Sequence, residues 1–280
     1  MNEIAVDRLI RIALEEDLRS GDLTTEAVVP PHVQAKGAVR TRAAGVVAGL
    51  EVARRVFAQL DPQINFVARV RDGDYVEAGA VLAEVSGSAR AILSGERVAL
   101  NFLRHLAGIA TRTRKLVELV AGYPVRLVDT RKTTPGLRNL EKYAVRMGGG
   151  FNHRFGLDDG ILIKDNHLVV AGGIAAAVRA AKGVAPHVLK VGVEVEDLAG
   201  VREALSAGAD VILLDNMPPA MISQAVQLVG GRALLEASGN IGEHNIVEIA
   251  RTGVDIISIG RLTHSVEHLD IGLDFEPSLT

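Results

Sequence analysis

From Gly122 onward the chain repeats one pattern, a short β-branched run followed by an Ala-rich amphipathic stretch. The runs are VRLVDT (125–130), GILIKD (160–165), VLKVGVEV (188–195), VILLDN (211–216), ALLEASGN (233–240) and IISIG (256–260). Between them stand GIAAAVRAAKG, VEDLAGVREALSAG, PPAMISQAVQLVG and GEHNIVEIARTG, which read as helices. Strands and helices that alternate with short loops have few solutions, chiefly parallel strands joined by right-handed crossovers. Six such runs predict a closed or nearly closed β/α barrel. The doubly wound alternative normally carries GxGxxG after its first strand. Here the Gly-rich MGGGFN (147–152) precedes His-Arg and does not open a helix after a strand.

The first part of the chain has a different texture. Residues 3–18 predict an amphipathic helix bearing Ile4, Leu9, Ile10, Ala13 and Leu14, ended by Gly21. Residues 35–49 read as strands and 50–60 as a helix closed by Asp61-Pro62. From 64 to 86, apolar and polar residues alternate around Asp-Gly and Ala-Gly turns, predicting a pair of strands around GDYVEAG. This pattern is similar to the hammerhead of biotinyl and lipoyl carrier domains, which need a lysine at a hairpin tip. Residues 64–94 contain no lysine, so carrier function falls and a structural hammerhead remains. Residues 95–121 form the longest helical pattern, with a break expected near Gly108. Arg97 falls in its first turn, where the helix dipole disfavours a cation. That arginine is either a tolerated surface residue or is held by an anion from elsewhere. The segment 264–280, with IGLDFEP, reads as a last strand returning to the N-terminal domain.

Chemistry concentrates between Asp129 and His167. Arg131, Lys132, Arg138, Lys142, Arg146, His153, Arg154, Lys164 and His167 are interrupted there by turn-forming Pro and Gly, which suggests a pocket for a highly anionic ligand. In a β/α barrel the C-terminal strand ends converge on one mouth. Those ends present Asp129, Thr130 and Arg131, then Lys164 and Asp165, then Glu194, Asp215, Glu236, Ser238 and Gly260. The cations come first along the chain and suit carboxylates or phosphates, Arg as a fork and Lys as a point charge. Glu194 and Asp215 follow. They suit Mg²⁺ that also touches ligand phosphates, or they pair with Arg131 and Lys164 in a structural network. The loops SGNI (238–241) and IGR (259–261) offer backbone N–H groups where barrels commonly bind phosphate. By itself His153 reads as a structural donor, and His105 and His167 have no assignable role. Neither a Ser-His-Asp set nor HExxH occurs.

Composition narrows the classes. A chain of 280 residues holds one large domain or two ordinary ones. A net charge of -3 provides no global basic field, which argues against nucleic acid and anionic membranes as partners. The absence of cysteine excludes disulfides, thiolate metal sites and a cysteine nucleophile, and fits a reducing cytoplasm. The N-terminus lacks a basic segment followed by an apolar one. No apolar run approaches the roughly 20 residues that span a bilayer.

Long motifs now bear on identity: EDLRSGDLTT (16–25), SGERVALNFLRHLAGIAT (94–111), DTRKTTPGLRNLEKYAV (129–145), GGGFNHRFGLDDGILIKDNH (148–167), VEVE (193–196), LLDNM (213–217), EASGNI (236–241) and GVDIISIGRLTHS (253–265). With them the chain closely resembles the quinolinate phosphoribosyltransferase family (nicotinate-nucleotide pyrophosphorylase, carboxylating), among the type II phosphoribosyltransferases. It departs in Arg19, where a glycine is common after EDL, and in Ala107, where a serine is common before GIAT. The resemblance implies an α/β fold with an N-terminal hammerhead-type domain over 1–107 and an incomplete β/α barrel over 108–267. A strand from about 268–280 would return to the first domain. It also implies a homodimer with shared active sites, sometimes a hexamer as a trimer of dimers.

The resemblance assigns Arg131, His153, Arg154 and Lys164, with Arg97 from the neighbouring subunit, to the two carboxylates of quinolinate. Thr130 and Lys132 would line the same pocket, with Lys132 and Lys164 also near phosphoribosyl pyrophosphate. Glu194 and Asp215 would hold ribose hydroxyls and Mg²⁺, and Ser238, Gly239, Asn240 and Gly260 the 5-phosphate. Lys132, Lys164, Glu194 and Asp215 would be the catalytic set of this pentosyltransferase. Two competitors remain: a related transferase acting on nicotinate or another aromatic acid without decarboxylation, and a silent mononucleotide-binding protein. So many cations favour a diacid over a monocarboxylate, and retention of both Glu194 and Asp215 argues against a silent binder.

Overall fold

Local capping and periodicity account for most of the secondary structure of the computed structural model, which describes residues 2–275. The chain forms two units, the described parts of Met1–Arg114, Thr134–Gly149 and Ser265–Thr280, and Lys115–Thr133 with Gly150–His264.

In the first unit, α1 (Glu3–Leu18) starts where the Asn2 side chain accepts the Ala5 N–H at 3.3 Å. It buries Val6, Ile10 and Leu14, four residues apart on one face, while Ile4, expected on that face, is exposed. The helix ends at Arg19 with φ +48°, a conformation that glycine adopts more readily. Asp22 caps α2 (Leu23–Val28), and β1 (Gln34–Thr41), β2 (Gly45–Val46) and α3 (Leu50–Leu60) follow. β3 (Asn65–Ala68) and β5 (Val81–Ser88) pair antiparallel, as the alternating pattern predicts. Between them β4 (Tyr75–Val76) leaves that ladder to pair with β2. Val39, Leu50, Leu82, Leu100, Leu103 and Ile271 centre the core, and burying each large side chain contributes about 2 kcal/mol.

α4 (Ala89–Leu119) corrects two expectations. It runs unbroken through Gly108, whose missing side chain admits the Glu267 carbonyl oxygen and Val266. Because the helix begins at Ala89, Arg97 lies beyond its first turn and the dipole penalty does not apply to it. The division near 107/108 falls inside this helix, whereas the units part after Arg114. α5 (Arg138–Met147), part of the segment expected in the barrel domain, also belongs to the first unit.

In the second unit β6 (Arg126–Val128) is followed by β7 (Ile161–Ile163), α6 (Asp165–Ala171), α7 (Ile174–Val184), β8 (Val191–Val195) and α8 (Leu198–Ser206). Then come β9 (Val211–Asp215), α9 (Pro219–Val229), β10 (Leu234–Ser238), α10 (Ile246–Arg251), β11 (Ile256–Ser258) and α11 (Arg261–His264). The strands form one parallel sheet in the order β6-β11-β10-β9-β8-β7. Among the described residues β6 and β7 do not pair with each other, and Phe151 adds a single parallel bridge beside Val128, so the barrel stays incomplete.

Past α11 the chain returns to the first unit, where β12 (Ile271–Phe275) pairs antiparallel with β1. The unit's main sheet therefore has the order β12-β1-β5-β3. The end of the expected return strand, 276–280, lies outside the described residues.

Candidate active site

Strand register decides which side chains meet at the barrel mouth. Glu236 on β10 pairs with Leu213 on β9, and Leu213 pairs with Glu194 on β8. One pleat further on, Ser238 pairs with Asp215. Side chains alternate faces along a strand, so Glu194, Leu213, Asp215, Glu236 and Ser238 share one face. All five line a cavity of about 540 Å³, a size suited to a small-molecule ligand.

The loop after β6 supplies Thr130, Arg131 and Lys132 to the same cavity. Thr130 Oγ1 accepts the Lys132 N–H at 3.1 Å, and Thr263 Oγ1 donates to the Lys132 carbonyl at 2.7 Å. Asp129, fully buried, organises the next loop by accepting Asn152 Nδ2 at 2.6 Å and the His153 N–H at 2.9 Å. His153 Nδ1 accepts the Arg154 N–H at 2.8 Å, so a neutral ring carries its proton on Nε2, which lies 3.4 Å from Glu236 Oε2. Arg154 is braced by the Gly160 carbonyl at 2.8 Å. Burial, then the neighbouring Arg131, lowers its pKa below the usual arginine value, with Asp159 opposing; the guanidinium stays charged at neutral pH.

Lys164 ends β7 and starts α6, its N–H donating to His167 Nδ1 at 2.9 Å. His167, without a role in the sequence reading, is thus part of a helix cap. The Lys164 ammonium pairs with Glu194 Oε2. Asp215 accepts Asn216 Nδ2 at 2.9 Å, and Asn216 Oδ1 accepts Asn240 Nδ2 at 3.3 Å. Asn216, Gly239 and Asn240 all have positive φ, which crowds the loops after β9 and β10 together. A side chain at Gly239 would strike the Asn216 side chain and stand 2.9 Å from its backbone nitrogen.

Eleven of the thirteen expected site residues therefore line one cavity: Thr130, Arg131, Lys132, His153, Arg154, Lys164, Glu194, Asp215, Ser238, Gly239 and Asn240. Gly260 is not in the lining but packs beneath the Lys132 stem, which a Cβ there would approach to 3.0 Å. Arg97 is exposed on α4 in the first unit. The cation-rich stretch divides. Arg138, Lys142 and Arg146 stand on α5 in the first unit, Lys142 fully buried, and take no part in the lining. His105 also belongs to the first unit, with Nε2 2.9 Å from buried Glu141. Leu162, Leu213, Asn216 and Ser258 line the cavity without having been assigned to the site from sequence, and Glu236, expected at the mouth as a strand end, was given no role there. Glu236 and Asn216 sit inside the quoted motifs EASGNI and LLDNM, so the signal for them was present.

Comparison with known proteins identifies the family. The sequence matches the family described as quinolinate phosphoribosyl transferase, with its N-terminal domain over residues 22–107 and its C-terminal domain over 109–274. It is 43% identical over 274 residues to a probable nicotinate-nucleotide pyrophosphorylase [carboxylating] of Bacillus subtilis, covering 98% of this chain and 94% of that one. The nicotinate-nucleotide pyrophosphorylase [carboxylating] of Mycobacterium leprae is 45% identical over 271 residues, covering 95% of each. The solved nicotinate-nucleotide pyrophosphorylase of Francisella tularensis superposes with a TM-score of 0.95 at 42% identity, covering 99% of this chain and 98% of that one. The chain belongs to the quinolinate phosphoribosyltransferase family.

Proposed function

We propose that the protein transfers the phosphoribosyl group of phosphoribosyl pyrophosphate to quinolinate with decarboxylation, giving nicotinate mononucleotide, CO₂ and pyrophosphate in de novo NAD biosynthesis. The observation that carries this reading is one cavity that gathers both charges. Arg131, Lys132, His153, Arg154 and Lys164 line it together with Glu194 and Asp215, which stand on adjacent strands, Glu194 paired with Lys164. Arg131, His153, Arg154 and Lys164 would hold the two carboxylates of quinolinate, with Thr130 and Lys132 completing the pocket. Ser238, Gly239, Asn240 and Gly260 would hold the 5-phosphate.

Glu194 and Asp215 would hold the ribose hydroxyls and Mg²⁺. The donor set fits that ion, which commonly takes one or two protein carboxylates and completes its shell with water and substrate oxygens. Among the described residues no group of three or more His, Cys, Asp or Glu could hold a metal. When bound, Mg²⁺ would neutralise charge on the departing pyrophosphate.

As the bond from ribose C1 to pyrophosphate breaks, the pyridine nitrogen donates its electron pair to C1. Positive charge develops on the ribose, where Glu194 and Asp215 stabilise it electrostatically. Holding ring and ribose in line supplies much of the rate. N-ribosylation makes the ring cationic. The C2 carboxylate then leaves as CO₂, and its bonding pair stays on C2 beside the positive nitrogen until a proton arrives.

We place the enzyme in the cytoplasm as a homodimer with shared active sites, in which exposed Arg97 reaches the partner's quinolinate; a hexamer would be a trimer of such dimers. Incubating the protein with Mg²⁺, phosphoribosyl pyrophosphate and either quinolinate or nicotinate, and following CO₂ and mononucleotide, tests the reaction. Quinolinate should turn over with CO₂ release. A preparation that uses nicotinate and leaves quinolinate untouched would overturn the assignment.

A further inference from the structure

Glu236 is the acidic residue of the cavity wall that the proposed reaction leaves without a task. It is 3% exposed. Its Oε2 lies 3.4 Å from His153 Nε2, and its Oε1 has no hydrogen-bond partner among the described residues. A buried carboxylate oxygen without a donor is costly, and such groups are rare enough to require an explanation. The other two acids of the cavity are engaged, Glu194 by Lys164 and Asp215 by Asn216.

Position narrows the explanation. In strand register Glu236 lies one pleat deeper than Ser238 and Asp215, level with Leu213 and Glu194. It therefore sits below the residues proposed for the phosphate and beside His153 of the quinolinate pocket. It also lines a second cavity of about 240 Å³, whose other lining residues include apolar Val128, Val211, Leu234 and Ile256 and polar Asn152 and Lys190. His153, Arg154, Leu162 and Glu236 form a wall common to both cavities. At 3% exposure the Glu236 carboxylate is little screened by solvent, so its charge acts at short range on its neighbours.

We propose that Glu236 is a further catalytic residue, whose unpartnered carboxylate oxygen faces the C2 carboxylate of bound quinolinate and drives its departure as CO₂. This rests on the quinolinate reading above. Two anions held close in a water-poor site raise the energy of the bound state. When the C2–carboxylate bond breaks, its electron pair moves to C2 next to the ring N⁺, and neutral CO₂ leaves. The negative charge beside Oε1 disappears, so the repulsion is relieved as the transition state is reached. C2 then takes a proton from water. The second cavity beside Glu236, partly lined by aliphatic side chains, offers CO₂ a place to go.

Phosphoribosyl transfer and decarboxylation must then respond differently to Glu236→Gln, which keeps shape and removes charge. Single-turnover pyrophosphate release should stay within about threefold of the wild type. CO₂ release should slow by at least about tenfold, with the dicarboxylate mononucleotide accumulating, and quinolinate should bind as tightly or more tightly. Glu236→Asp should retain part of the decarboxylation rate. Glu236→Met, similar in length and uncharged, should show the same split and serves if the amide does not fold. Equal losses of pyrophosphate and CO₂ release would overturn the proposal. So would weaker quinolinate binding at unchanged kcat, or a raised KM for phosphoribosyl pyrophosphate alone. A wild type that never turns over quinolinate removes the functional reading itself. A wild type that does, with Glu236→Gln indistinguishable from it, removes only this inference.

Discussion

Arg19 is the residue at which local energetics and sequence pattern meet. It closes α1 at φ +48° and ψ −103°, where a Cβ is strained, at a position that resembles one commonly glycine in the family. Its side chain is exposed, so little packing is lost on removing it. Strain of this kind costs about 1–3 kcal/mol, while the extra unfolded-state freedom of glycine costs up to about 1 kcal/mol. Relief wins, so Arg19→Gly should stabilise the protein by about 1 kcal/mol, raising Tm by about 2 °C in a calorimetric scan. An unchanged or lower Tm would show the strain to be relaxed in solution. Other single residues were less legible. The partner of Glu236 is His153, 83 positions earlier, and no local pattern announces a carboxylate oxygen left without a donor. Asn216 was hidden similarly, since its positive φ and its bond to Asn240 arise only when two strand ends lie side by side.

At the scale of elements, periodicity located the strands and helices of the barrel because each carries its own burial pattern. The runs at 211–216 and 233–240 contain β9 and β10 almost unchanged. What pattern could not reveal were features set by other segments. Gly108 looks like a helix breaker along the sequence, yet its role is to let the Glu267 carbonyl approach α4. α5 follows a cation-rich motif and was read with the pocket, although its buried Leu140, Ala144 and Val145 commit it to the first unit. The loops after β9 and β10 depend on each other in the same way. Gly239→Ala would place a methyl group against Asn216 in a backbone conformation with φ +96°. We expect a loss of about 2–4 kcal/mol in stability, from strain plus overpacking. KM for phosphoribosyl pyrophosphate should rise at least tenfold while quinolinate affinity changes little. Parallel losses of both affinities would show that the loop does not act as a separate phosphate element.

For the whole molecule, the expected partition into a hammerhead-type unit and an incomplete barrel was readable, because the change of texture after Gly122 is global. The seam expected near 107/108 coincides with the division between the two family domains, although α4 runs through it and the contact units part after Arg114. Arg97 and the cavity residues fall in different units, and the proposed shared-site dimer has a direct consequence. Arg97→Ala and Lys164→Ala dimers should each be nearly inactive. Mixing them should restore up to about a quarter of wild-type activity, because random exchange leaves half the dimers hybrid, each with one intact site. Failure to recover activity, with subunit exchange verified by mass spectrometry of tagged chains, would place Arg97 outside the site.

The pairing of β12 with β1 also imposes a schedule on biosynthesis. Residues 34–41 emerge from the ribosome long before residues 271–275, their partner along one edge of the first unit's sheet. Until then β1 is an open edge, and open edges recruit strands from other chains. A ribosome that stalls after β5 but before β12 would therefore hold a nascent chain whose first unit presents an adhesive edge. Translation speed over that stretch becomes a determinant of yield.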